Sequence, residues 1–475
     1  MPASQNKTFF LHAIIYGVGD LLTKSAIILL VPFYTEYLSK EELGTIALCQ
    51  VTTTGAWAIL TLGTAQFVQK FFKASDGVDD VPMLSGAQLA STVWWARLIL
   101  GSLSAFGIWL FFSLTNLLDL DIYLIGLAIA TGNFRASLTV SESSLISASK
   151  PLIYRLFTFS IFTTSLGMIF VAVASYGLGV KGAVAAECIV FGVWTLVTGA
   201  VHTWFSRPAF GKLDWKRTIN FSLPIFPHAF FMWGMMNSDR HILKISGVNE
   251  TDIGIYHNAY LLGSAVAIVG TALTLPWLPV YYKKSNLQES ADFFRQRAIV
   301  NLVMCFFLTL TTVLFSVEIA NLMARKYAIE ILPLMQIILI GTFLLTACSL
   351  FFKPLVHLKK TAWLSLVSGS SVAFNVALNL FLAPRMGVYG ATLATIVSYS
   401  IMFLILWYLT NKFTGIQWRF SKPSVFIVPG ALAVAMLAAA FLLPQDFGWS
   451  IFAIKSVIAI LAWGGLAGVW WINRK

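Results

Sequence analysis

Charged side chains lie inside long apolar stretches of this sequence. The basic ones are Lys24, Arg97, Arg135, Arg240, Lys244 and Lys455, and the acidic ones are Asp20, Glu187 and Asp239. A charge at the centre of a membrane helix costs on the order of 2.5–3.5 kcal/mol, so such residues normally face a hydrated cavity or a partner. Because the basic residues outnumber the neighbouring acids, the set predicts a cavity with a net positive charge.

Two of these cations have an acid close by in the sequence. Asp20 and Lys24 are four residues apart and share a helical face, which suits an ion pair. Arg240 follows directly after Asp239, and adjacent residues of a helix project about 100° apart. We therefore expect Arg240 and Asp239 to pair poorly.

An arginine that no acid neutralises is suited to binding an anion. The planar guanidinium binds phosphate or pyrophosphate through parallel hydrogen bonds. We therefore predict that the substrate-binding residues are Lys24, Arg97, Arg135, Arg240 and Lys244. The alternative for each is interhelical pairing or snorkelling, and snorkelling to the outer interface is the favoured interpretation for Lys244 and Lys455.

Two further segments bear on the cavity. Residues 133–144 are too polar for a lipid-facing surface, and we expect them to line the cavity, with an interhelical contact between hydroxyl groups as the alternative. Pro224 and Pro227 release backbone carbonyls near the start of a helix and are candidate hinge residues. Prolines are also common at ordinary helix starts, which is the alternative.

These residues are carried on about fourteen apolar segments, each long enough to span a bilayer. Of the 475 residues, 58% are hydrophobic and 11% are charged, whereas an ordinary soluble domain has about 25% charged residues. The Lys and Arg residues concentrate in alternate connections, which predicts an even number of helices and both termini in the cytoplasm. The sequence therefore predicts an all-α polytopic membrane protein whose net charge of +12 needs no nucleic-acid partner.

The motifs of several enzyme classes are missing from the sequence. It has no glycine-rich loop ending in Gly-Lys-Ser/Thr, no His-Glu-x-x-His zinc motif and no cluster of Cys or His. The four cysteines lie singly in apolar segments and are interpreted as packing residues. We predict no catalytic residues, no metal and no cofactor; the enzyme alternative is an integral-membrane glycosyltransferase or ligase.

Some landmarks occur twice along the chain. Glu42-Leu43-Gly44 resembles Asp252-Ile253-Gly254, and Gly179-Val180-Lys181-Gly182-Ala183 resembles Gly387-Val388-Tyr389-Gly390-Ala391. They predict two pseudo-symmetric six-helix lobes, 1–212 and 213–415, followed by two additional helices in 416–475. In such repeat transporters the substrate site lies between the repeats near mid-membrane. The alternative is coincidence, because turns favour glycine.

The landmarks jointly resemble those of the multidrug/oligosaccharidyl-lipid/polysaccharide exporter superfamily, in particular its polysaccharide-biosynthesis branch of O-antigen-type (Wzx-like) flippases. The resemblance spans nearly the whole chain. It rests on Leu38 to Gly44, Gly179 to Ala183, Leu223 to Pro227, Asp239 with Arg240, Gly254 to Tyr256, Ala259 with Tyr260, and Gly387 to Ala391. It implies a flippase of the bacterial inner membrane that moves an undecaprenyl-pyrophosphate-linked oligosaccharide from the cytoplasmic to the outer leaflet for surface polysaccharide assembly. The implied mechanism is alternating access through a cationic central cavity.

The resemblance also implies coupling and partners. Cation or proton antiport is implied, with Asp20, Glu187 and Asp239 as candidates for the coupling ion. Membrane lipids, a polysaccharide polymerase and glycosyltransferases are the implied partners. The alternatives are a peptidoglycan-precursor (lipid II) flippase, which shares the anionic headgroup, a drug/cation antiporter, which would favour an acidic cavity, and a scaffold of a polysaccharide-synthesis complex.

Overall fold

The computed structural model describes residues 28, 30–72, 84–223, 226–274, 291–358, 360–414, 424–443 and 448–472. Over these ranges the regular secondary structure is helical, and no strand occurs within them. The α-helices are, in chain order, α1 Leu30–Tyr37, α2 Lys40–Leu60, α3 Thr64–Phe71, α4 Gly86–Thr115, α5 Ile122–Ser147, α6 Pro151–Phe170, α7 Gly179–Phe205, α8 Trp215–Ser222, α9 Phe226–Ile245, α10 Glu250–Thr274, α11 Ala291–Leu314, α12 Ser316–Met323, α13 Ala328–His357, α14 Thr361–Thr414, α15 Ser424–Leu442 and α16 Trp449–Ile472.

Many of these helices are long and apolar enough to cross a membrane. Eight meet that criterion within the described residues, and a ninth is obtained when α11 and α12 count as one bent span. α14 consists of two helices that meet at Gly387, where φ is 56° and ψ is −136°. The prediction of an all-α polytopic membrane protein is confirmed.

The described residues fall into two compact units. One comprises those in the range 37–254, and the other comprises those in 24–36 and 255–475. The division into lobes at residue 212 and the separate C-terminal addition from residue 416 stay predictions.

Two of the long helices are interrupted. After α2 the chain makes a turn over residues 61–63, and Leu62 and Gly63 have positive φ angles of 51° and 66°. α11 and α12 are bent by 64° at the break between them. An interruption at membrane depth frees backbone carbonyls, and neighbouring side chains must then satisfy them.

Glycines allow other backbones and large rings to approach α2 closely. A Cβ on Gly55 would come 2.7 Å from the Trp233 ring of α9. A Cβ on Gly44 would overlap the backbone of Glu250, the first residue of α10. The contacts between α2, α9 and the start of α10 therefore depend on the absence of a side chain at these two positions.

Candidate functional site

Arg97 braces the interruption after α2. Its side chain extends from α4, and the residue is 1% exposed. Nε donates to the carbonyl of Leu60 at 2.9 Å, and Leu60 is the last residue of α2. The guanidinium thus supplies a donor at the point where the regular helical amides end.

The other end of the same guanidinium is bound to α5. Nη1 donates to the backbone carbonyl of Asn133 at 2.6 Å and to Ser137 Oγ, and Nη2 donates to Asn133 Oδ1. All these acceptors are neutral, and they lie on two helices other than the one that carries Arg97. The geometry therefore favours the interhelical alternative for Arg97; contact with a substrate stays a prediction.

The polar half of α5 has two different faces. Asn133, Ser137 and Ser141 are buried on one of them; the first two accept from the guanidinium just described, and Ser141 Oγ lies 3.1 Å from His202 Nε2. This face is an interhelical contact, so the expectation that residues 133–144 line a cavity is wrong for it. Arg135 is two positions from both Asn133 and Ser137, which places it on the opposite side of the helix.

Arg135 lies over the indole ring of Trp57. The guanidinium carbon is 4.6 Å from the ring centroid, and Trp57 Nε1 donates to Thr139 Oγ1 at 3.0 Å, which fixes the ring orientation. Across the described part of the chain, no carboxylate oxygen lies within 4 Å of the Arg135 nitrogens. A ring face attracts the cation but leaves its N–H groups able to donate to an anion.

Glu187 on α7 is partly buried and senses the charge of Arg135. Among the described residues the two groups are not within ion-pairing distance of one another. Glu187 therefore interacts electrostatically with Arg135 without pairing with it, and its role in ion coupling stays a prediction.

α9 faces α2 through polar side chains. Trp233 Nε1 donates to Thr54 Oγ1 at 3.2 Å, and His241 Nε2 lies 3.0 Å from Thr52 Oγ1. Thr54 precedes Trp57 by three residues, so both lie on one face of α2. We refer to the following five residues as the indole–arginine wall: Thr54, Trp57, Arg135, Thr139 and Trp233.

Arg240 and Asp239 form a buried ion pair. Arg240 Nη1 is 2.6 Å from Asp239 Oδ1, and it also donates to the carbonyl of Met236 at 2.7 Å. The expectation that these neighbours pair poorly is wrong, because the long arginine side chain turns back along α9 to reach both acceptors. Asp239, a predicted coupling residue, and Arg240, a predicted substrate-binding residue, are thus bound to each other.

Lys244 and Lys455 are both paired with acids. Lys244 Nζ bonds the carboxylate of Glu250 and lies 3.9 Å from Asp119 Oδ2. Lys455 is 0% exposed, and its Nζ lies 2.9 and 3.0 Å from the two carboxylate oxygens of Glu318 on α12. The snorkelling expectation for Lys455 is therefore wrong, because its ammonium group is neutralised inside the protein.

Three of the predicted residues, Asp20, Lys24 and Pro224, lie outside the described residues. Pro227 is the second residue of α9 and is exposed. A proline at that position costs no helical hydrogen bond, because the first amides of a helix have no intrahelical acceptor. Its role as a hinge stays a prediction.

Sequence reasoning missed the two indoles of the wall. Trp57 and Trp233 lie within helices, whereas the tryptophans that anchor a protein at the headgroup layer lie near helix ends. For Trp233, its position in the interior of α9 is a signal that the sequence offers.

Comparisons with known proteins identify the fold. No protein-family model matches the chain, and no curated protein sequence matches it. The chain resembles the solved structure of a lipid II flippase, MurJ, in an inward closed conformation, with a TM-score of 0.71 and 14% identity over 98% of this chain and 99% of that chain.

Transporters of the multidrug resistance MATE family also share the fold. An inward-facing MATE transporter of the MOP superfamily matches with a TM-score of 0.58 and 14% identity, over 85% of this chain and 96% of that one. A point mutant of the Vibrio cholerae MATE transporter VcmN matches with a TM-score of 0.59 and 16% identity, over 86% of this chain and 97% of that one. At these identities the comparisons show that the chain shares its fold with these solved structures.

Proposed function

We propose that this protein is a flippase that moves an undecaprenyl-pyrophosphate-linked oligosaccharide from the cytoplasmic to the outer leaflet of a bacterial inner membrane. The movement occurs by alternating access, and it serves surface polysaccharide assembly. A polysaccharide polymerase and glycosyltransferases are the proposed partners. The protein itself carries out transport and no covalent chemistry.

The observation that carries the proposal is Arg135. The structure gives Arg97 neutral acceptors from two neighbouring helices and gives Lys244 and Lys455 acidic partners, so these three side chains have structural uses. Arg135 instead rests on an indole and is only partly buried. Its guanidinium suits the diphosphate of a lipid-linked sugar.

The second candidate function is transport of the peptidoglycan precursor lipid II. It is favoured by the fold, since the match to the MurJ lipid II flippase covers 98% of this chain. Both substrates present a lipid diphosphate, so Arg135 would serve either one. A drug/cation antiporter fits less well, because a cationic arginine in the wall repels its substrates.

Glu187 is the residue that we propose for ion coupling. It is close enough to interact electrostatically with Arg135 without being bound to it. Entry of a substrate anion would compete with Glu187 for the same cation. A proton or cation taken up by Glu187 at that moment would remove the repulsion between the two anions.

The test is flipping by purified protein in vesicles. Fluorescent undecaprenyl-pyrophosphate oligosaccharide and fluorescent lipid II are supplied in separate vesicles, and a membrane-impermeant quencher reports the leaflet. We expect Arg135→Gln to slow flipping of the oligosaccharide lipid about 10–100-fold, because hydrogen bonds to a charged group contribute about 1.5–3 kcal/mol. Arg135→Lys should retain part of the rate.

The matched control is Arg385→Gln. Arg385 is also an arginine over an aromatic ring, 4.0 Å from the centroid of Phe381, but it is exposed. Its loss should leave the rate unchanged. Normal flipping by Arg135→Gln would reject the cationic site, and faster flipping of lipid II than of the oligosaccharide lipid would select the second candidate function.

A further inference from the structure

Helices α3 and α8 meet around an aromatic cluster. The ring centroids of Phe67 and Phe71 are 4.8 Å apart, and Phe221 of α8 lies 5.4 Å from Phe71. The two helices are held together where Gly63 packs on the backbone of Ser222, since a Cβ there would come 2.5 Å from the Ser222 carbonyl oxygen. The cluster therefore packs the two short helices against each other.

Two cations lie over rings of this aromatic cluster. Lys70 Nζ is 4.7 Å from the ring centroid of Phe221, and the guanidinium carbon of Arg217 is 4.7 Å from that of Phe71. We refer to Lys70 and Arg217 on these two rings as the basic clamp. Lys70 is exposed and Arg217 partly so, and within the described residues no carboxylate oxygen lies within 4 Å of Lys70 Nζ.

Cation–π contacts position a charge without neutralising it. The connection that contains α8 has four basic residues, Arg207, Lys212, Lys216 and Arg217, and one acid, Asp214. The Asp214 carboxylate is used as the N-cap of α8, where it accepts from the backbone amide of Arg217 at 2.9 Å. The connection that contains α8 therefore carries more basic than acidic residues.

The outward face of α8 is apolar. Trp215, Ile219 and Leu223 follow one another at intervals of four residues, so they share one side of the helix, and they are 38%, 53% and 63% exposed. Thr218 and Ser222 face the protein instead and are buried. A helix with an apolar outer face and neighbouring Lys and Arg is typical of one that lies in the headgroup layer of a membrane.

We propose that the basic clamp binds the phosphate of an anionic phospholipid, with the acyl chains lying along the apolar face of α8. The charge distribution of the sequence predicts the cytoplasmic side for this connection, and the cytoplasmic leaflet carries the anionic lipids that attract basic residues. The lipid-binding site does not depend on what the protein transports.

The test measures lipid binding by the purified chain in a neutral detergent. Short-chain phosphatidylglycerol is titrated while the fluorescence of the tryptophans, which include Trp215 at the clamp, is followed. We expect the double variant Lys70→Gln/Arg217→Gln to bind about 30-fold more weakly, since each basic residue near an anionic surface contributes about a factor of five. Lys70→Arg/Arg217→Lys keeps both charges and should bind within about threefold of the parent.

The control removes two other cations from a connection predicted to lie on the same side. In Lys150→Gln/Arg155→Gln the charge change is identical, but Arg155 lies over its own neighbour Tyr154, so no two helices share the ring contact. Binding at the parent level by this control, together with loss in the clamp variant, supports the site. Equal binding by both double variants, or equal loss in both, overturns it.

A competition experiment and a replacement variant complete the test. If inorganic phosphate displaces the lipid at equal concentration, the site takes free anions and the lipid proposal is overturned. If the glutamine variant does not fold, as judged by circular dichroism, Phe221→Leu is used in its place. It keeps both charges but removes the ring beneath Lys70, and unchanged binding by that variant also overturns the proposal.

Discussion

Replacing Arg97 by methionine tests whether this residue braces the interruption after α2. Methionine occupies the apolar part of the same space but donates no hydrogen bond. The carbonyl of Leu60 then loses its donor at 2.9 Å, and Asn133 Oδ1 loses the donor from Nη2. Both acceptors lie inside the protein, where water does not replace the guanidinium.

The expected loss of stability follows from the number of buried acceptors that lose their donor. Each buried acceptor without a donor costs about 1–3 kcal/mol, so two of them cost about 2–6 kcal/mol. The neutral side chain avoids the desolvation of a buried guanidinium, which offsets part of that cost. We expect Arg97→Met to lower the free energy of unfolding by about 2–4 kcal/mol. Arg97→Lys should lower it by about 1–2 kcal/mol, because one ammonium group reaches only part of the acceptor set.

The assay is reversible unfolding of the detergent-purified protein by sodium dodecyl sulfate, followed by far-ultraviolet circular dichroism. Arg155→Met is the control, since that arginine is partly exposed and lies over Tyr154, and its free energy of unfolding should stay within about 0.5 kcal/mol of the parent. The bracing role is refuted if Arg97→Met unfolds like the parent. Slow flipping by Arg97→Lys at unchanged stability would instead show that Arg97 contacts the substrate.

Other contacts lead to separate expectations, which the same unfolding titration or thermal melts measure. Lys455→Met leaves the Glu318 carboxylate buried without its cation and should cost about 3–5 kcal/mol, whereas the double variant Lys455→Met/Glu318→Leu should cost less; equal costs would contradict a buried ion pair. Gly44→Ala places a Cβ against a neighbouring backbone and should cost about 1–3 kcal/mol; an unchanged melting midpoint would show that α2 moves freely there. The backbone N–H of Tyr123 lowers the pKa of Asp121 below its usual 3.8, so the ionised N-cap stabilises α5 above that pH and the contribution is lost as pH falls through the lowered pKa. Asp121→Ala should therefore lower the free energy of unfolding by about 1 kcal/mol at neutral pH, and this loss should become smaller in acid. A loss that does not vary with pH would contradict this role of Asp121.

The helices could be predicted from the sequence, but their interruptions could not. Hydropathy needs only enough apolar residues to fill a span, so long apolar segments such as those that form α4, α5 and α7 can be predicted as helices. The interruptions at Leu62 and between α11 and α12 lie within continuous apolar runs. There the apolar pattern is the same for a straight helix and a broken one, because both are surrounded by lipid or protein.

The partners of the intramembrane charges also could not be predicted from the sequence. Along one helix the sequence shows only neighbours three or four residues apart, yet Lys455 binds Glu318, which is 137 residues away. Arg97 found neutral acceptors that no charge count reveals. The sequence does predict that each charge at membrane depth has either a structural partner or a function. For Arg135 the structure provides an aromatic ring and no acidic partner among the described residues, which favours a function.

The repeated glycine landmarks share conformation as well as sequence. Gly179, at the start of α7, and Gly387, at the kink of α14, are the positions that the predicted duplication equates, and both have a φ of 56°. Gly44 and Gly254 are equated in the same way, and a Cβ on Gly254 would come 2.5 Å from the backbone nitrogen of Gly44. A preference of turns for glycine accounts for the first pair, because both residues have the positive φ of a turn, but it does not account for the second pair, which lies within helices in direct contact. The backbone therefore requires glycine for the same physical reason at both members of each pair, which is what the duplication would require, and the duplication itself stays a prediction.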